Sequence, residues 1–71
     1  MPRYWFVSYR YLELKIGSLF GNDILEIEGK DFFPVRQAKD LLSKKIRNVM
    51  ITIIFYQETT QEAFDEFHSK N

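Results

Sequence analysis

Cysteine is absent from the 71 residues. That excludes a disulfide framework, a thiol nucleophile and a zinc site built on thiolates, and it suits a reducing, cytoplasmic setting. Glycine occurs three times and proline twice, too seldom for a disordered or low-complexity chain. No apolar run approaches the ~20 residues that a membrane-spanning helix needs. The longest uncharged stretch extends only from Asn48 to Gln57 and reads as a strand. Near the N-terminus Arg10 and Glu13 arrive before the apolar core of a secretion signal is built. The expectation is therefore no membrane. Charge of either sign is not in excess, with ten basic and ten acidic residues, so net charge gives no support to a bulk polyanionic partner.

What the chain does have is large side chains. Four Tyr, seven Phe and one Trp supply the core of a domain so short that it buries only about 60% of its unfolded surface. A second core does not fit, and residues 1–71 read as one small domain. From Tyr4 to about Lys15, β-branched and aromatic residues alternate, with Trp5, Val7, Tyr9 and Tyr11 on one face and Tyr4, Phe6, Ser8 and Arg10 on the other. Gly17 and the Gly21-Asn22-Asp23 triplet tolerate positive φ and place a longish reversal before a second strand, Ile24–Glu28. Pro34 suits the first position of a helix, and Val35, Ala38, Leu41, Leu42 and Ile46 recur at helical spacing up to Ile46. A third strand runs from Val49 to Tyr56, with Val49, Ile51, Ile53 and Phe55 on one face and Met50, Thr52, Ile54 and Tyr56 on the other. Thr59 followed by Glu62 matches a capping box, behind which Ala63, Phe64 and Phe67 give a short helix an apolar stripe ending near His68.

The fold class these elements imply is α+β, with β-β-α-β-α topology and a three-stranded antiparallel sheet in the order 2-1-3. A right-handed crossover through the first helix returns the third strand antiparallel to the first, which becomes central.

Candidate chemistry is sparse. His68 is the one histidine; a metal would need Asp65 and Glu66 to complete its site, and a triad with Ser8 or Ser18 would rest on a fraying end. It reads better as a solvated residue in the last turn of a helix. Glu26 and Glu28 share a strand face, but with Leu25 and Ile27 turned inward they face water. The Gly17–Gly21 segment opens no helix and lacks the lysine of a phosphate loop. No catalytic residue, no metal and no cofactor is expected, and the chain reads as a non-enzyme.

Two surfaces carry the functional expectations. Strands one and three are apolar on both faces, so covering one face with the first helix leaves Tyr4, Phe6, Met50, Ile54 and Tyr56 outside, where a protein partner, a second copy or the last helix must cover them. This is the leading reading: a protein-interaction module. The alternative is a nucleic-acid-binding accessory protein, with Tyr4 and Phe6 beside Arg3 and Arg10, and with Lys44, Lys45 and Arg47 of the basic first helix on phosphates. Finally, the Phe6–Tyr11 strand, the Phe20-Gly21-Asn22 segment, the strand from Val49 and the acidic Thr59–Phe67 tail together resemble short uncharacterised proteins of bacterial viruses and mobile elements. The resemblance implies an intracellular, non-enzymatic accessory role and transfers no functional residue.

Overall fold

The computed structural model describes residues 1–29, 31–48 and 50–69. Its elements run β1 (Pro2–Glu13), β2 (Gly17–Glu28), α1 (Val35–Ile46), β3 (Ile51–Thr59) and α2 (Gln61–His68). The sheet has the order β2-β1-β3 and both pairings are antiparallel, as the sequence implies. Val49, with which the sequence reading starts the third strand, lies outside the described residues.

The first hairpin is longer and its turn tighter than composition suggests. β1 and β2 pair without interruption from Pro2↔Glu28 to Glu13↔Gly17. They are joined through Leu14-Lys15-Ile16, with the Ile16 N–H donating to the Glu13 carbonyl at 3.1 Å. Gly17, the first residue of β2, then takes φ +102°, a conformation that glycine adopts without steric cost. Gly21-Asn22-Asp23, expected as turn, is strand instead. Gly21 pairs with Tyr9, and a Cβ there would lie 2.6 Å from the Tyr9 hydroxyl. The glycine makes room for an aromatic ring, not for a reversal. Gly21→Ala is expected to lower stability by about 1–2 kcal/mol through overpacking, read from urea melts; an unchanged midpoint would show that the Tyr9 ring moves aside freely.

α1 lies on one face of the sheet. Its residues Ala38 and Leu42 join Trp5, Val7, Tyr9, Leu25, Ile27, Phe33 and Ile51 in one core, with Tyr11, Ile46 and Ile53 at its margin. Pro34 caps the helix instead of occupying its first turn, and its carbonyl accepts the Ala38 N–H at 2.9 Å. Lys44 and Lys45 stand in the last turn, favourable to the helix dipole. α2 packs on the opposite face, over β2 and β1, where Phe64 meets Tyr4 at 5.1 Å between ring centroids. Its cap is Thr60, one residue beyond the expected Thr59, with Oγ1 accepting the Ala63 N–H at 3.1 Å.

The main departure lies in β3. Tyr9 pairs with Ile53 but Ser8 pairs with Phe55, so Ile54 is an extra residue at a β-bulge. Side-chain direction has period two, and one inserted residue exchanges the faces of everything after it. Tyr56 therefore stands on the α1 face beside Val7, and Phe55 on the opposite face beside Ser8, the reverse of strict alternation. The sequence reading that put Tyr56 outside and Phe55 in the core is corrected on this ground.

Candidate functional site

The two edges of the sheet are finished differently. On the open side of β2, the Ile24 N–H donates to Asp23 Oδ1 at 2.7 Å, and His68 Nε2 lies 2.8 Å from the Ile24 carbonyl oxygen. A carbonyl only accepts, so Nε2 carries the proton in this contact. Asp23 is 6% exposed and binds Lys45 Nζ at 2.8 Å through its other oxygen, with His68 at 3.4 Å. Asp23 thus ties α1 to the edge strand and takes the Ile24 N–H, while His68 of α2 takes the Ile24 carbonyl. His68 also packs on Phe64 at 4.5 Å and Phe67 at 5.2 Å, so it is exposed in the last turn of α2, as its position suggests, and at the same time bonded and packed on one side.

β3 forms the other edge and is apolar. Met50 just before it is 55% exposed, Ile54 56%, Phe55 50% and Tyr56 50%. An edge strand with exposed apolar residues is a ready template for pairing. Beside it, Phe33, Val35, Lys39, Thr52, Ile53, Ile54, Phe55 and Tyr56 line an open groove of about 540 Å³ between α1 and the strand. The groove floor is aromatic: Tyr56 stacks on Phe33 at 4.1 Å with 6° between planes, and Trp5 meets Phe33 edge-on at 5.2 Å. Phe33 sits just before α1, where Pro34 holds the chain extended.

Of the residues singled out for protein contact, Met50 and Ile54 remain on the surface. Tyr56 is half-exposed but belongs to the groove on the α1 side. Phe6 is partly buried, with Phe55 at 6.4 Å. Tyr4 is covered by α2 through Phe64, and its burial, then Glu26 and Asp65, push its phenol above the usual range. Burial likewise raises the Tyr9 phenol, with Asp23 and Tyr11 adding to the effect. Sequence reasoning missed Phe55 and Phe33; the bulge that exposes the first leaves no mark in the alternation.

The cations are dispersed. Arg3 forms a two-pronged bond to Glu58, Nε to Oε2 at 2.7 Å and Nη2 to Oε1 at 2.6 Å, with Asp31 at 4.0 Å and its guanidinium 5.7 Å from the Trp5 ring centre. Lys45 is held by Asp23. Arg10 is exposed on the face opposite α1, next to Thr52, whereas Lys44 is on α1 and Arg47 caps it in a left-handed conformation, φ 55°. The structure does not gather the five into one basic surface. No family model, curated protein or solved structure matches the chain. Among the described residues no cluster of His, Asp and Glu is arranged to hold a metal, and no helix is long and apolar enough to cross a membrane.

The Arg3–Glu58 pair has a pH signature. The hydrogen bond from Arg3, reinforced by its charge, holds the Glu58 carboxyl below its usual range. A depressed folded-state pKa contributes stability above the unfolded value of about 4.3 that is lost as pH falls through the folded one. Glu58→Gln is expected to remove part of the loss of melting temperature between about pH 5 and pH 2.5, since the amide does not titrate; an acid limb identical to that of the parent chain would show that the pair is not what titrates.

Proposed function

We propose that the chain is a non-catalytic protein-interaction module that docks a partner along β3. The observation that carries this reading is the contrast between the edges: on β2 the backbone groups of Ile24 are taken by Asp23 and His68, while β3 shows Ile54, Phe55 and Tyr56 to solvent, with Tyr56 stacked on Phe33. Retaining such a strand uncovered invites aggregation, and a partner removes that liability. The lack of cysteine suits a cytoplasmic setting, and the resemblance to short proteins of bacterial viruses and mobile elements suits a small accessory binder. A nucleic-acid role has less support, because Arg3 and Lys45 are engaged in ion pairs and Arg10 lies across the sheet from α1.

Ile54→Lys tests the proposal. The side chain is at the bulge and more than half exposed, so stability is expected to stay within about 0.5 kcal/mol of the parent. Complexes captured from the native host by the parent chain should be lost with the variant. A parent that captures nothing the variant loses, and that sediments as a monomer at high concentration, would remove the reading.

A further inference from the structure

Resting on the docking reading of β3, the groove beside that strand narrows what docks. Its lining is apolar except for Thr52 and one charged group, Lys39. Lys39 is exposed and makes no ion pair among the described residues; Arg36 lies one turn before it along α1, and both border the adjoining hollow with Val35, Asp40 and Ser43. The acidic side chain of β3 itself, Glu58, is committed to Arg3. The free charge at the mouth of the groove is therefore positive, and a complementary occupant brings a carboxylate.

A second copy of the chain fits this badly. Two copies joined β3 to β3 in one antiparallel sheet are related by a two-fold axis normal to the sheet. Both α1 helices then fall on the same face, and Lys39 of each copy is turned toward Lys39 of the other. A single extended segment brings no second Lys39: it can pair along Phe55–Thr59, where the register with β1 is regular, and send side chains toward the groove at Phe33 and Tyr56.

We propose that the partner is an extended segment of another protein, apolar at alternate positions and carrying an acidic residue, which adds to β3 as a fourth strand. Main-chain hydrogen bonds supply the attachment; the aromatic floor and Lys39 select the sequence.

A library of random displayed dodecapeptides selected on the full chain tests this, followed by titration of the enriched peptides against the parent, Ile54→Lys and Lys39→Glu, and amide-resolved NMR with the parent. The expected result is enrichment of peptides with apolar residues at every second position and Asp or Glu among them, with shifts concentrated in β3. Lys39→Glu should weaken them roughly five- to tenfold, a reversal of one exposed charge pair. Enriched peptides with helical spacing, with basic residues, or with shifts away from β3 would overturn the strand-addition proposal; if Ile54→Lys still abolished their binding, docking at β3 would stand. No enrichment together with a dimer that Ile54→Lys dissociates would assign the edge to a second copy. No enrichment and a monomeric parent would overturn both this proposal and the docking reading beneath it.

Discussion

Phe33→Ala is expected to cost about 3–5 kcal/mol, the range for deleting a buried aromatic side chain. Phe33 is 7% exposed, lies flat against Tyr56 and meets Trp5 edge-on. It is the residue through which the segment before α1 reaches the sheet. A domain holding only about 5–15 kcal/mol in total would lose a large part of it, and the urea midpoint should fall accordingly. The same change empties the floor of the β3 groove, so peptide or partner binding should fall even at temperatures where the variant stays folded. A loss under about 1 kcal/mol would show that the Phe33–Tyr56 stack is not what joins the α1 segment to the sheet.

The second large effect is expected at Asp23. Asp23→Ala deprives the Ile24 N–H of its acceptor and Lys45 of its counter-charge. An unsatisfied donor and a lost charge-assisted bond together cost about 3 kcal/mol. The change also frees the backbone of Ile24 on the β2 edge, so the variant should associate more than the parent, and light scattering on partly unfolded samples should rise. Asp23→Asn separates the two contributions, since its amide oxygen still accepts from Ile24 while the ion pair is lost. Equal behaviour of the two variants would show that the charge, not the edge hydrogen bond, matters at this position.

Periodicity revealed the elements but not their fine placement. The alternation of Trp5, Val7 and Tyr9, the helical spacing of Ala38, Leu42 and Ile46, and the apolar run through Ile51–Phe55 were sufficient for five elements and their order. Gly21 misled because a glycine at a turn and a glycine under an aromatic ring look the same without the partner strand; Tyr9, which decides the matter, is distant in sequence. The bulge at Ile54 was unreadable for a related reason, as it is defined by what stands opposite on β1. Its effect on the candidate site is large: Tyr56 and Phe55 exchange faces. His68 and Asp23 were read separately, as a tail residue and a turn residue, because only the return of α2 along β2 brings them together. Met50 and Ile54 were found correctly as surface residues, since their strand carries more apolar side chains than one covering helix accommodates.

The long β1–β2 hairpin has a kinetic consequence. Its strands are sequence neighbours across a three-residue turn, and a hairpin of this kind forms within about 1–10 μs. β3 must instead find β1 across the whole of α1, with Tyr4 pairing to Thr59, and loop closure of that length comes before any reward from the contacts it makes. The Ile51–Tyr56 segment, rich in β-branched and aromatic residues and without charge, therefore waits unpaired while the hairpin is already in place. Crowded refolding is expected to be lost to intermolecular pairing of that segment, and yield to fall as chain concentration rises.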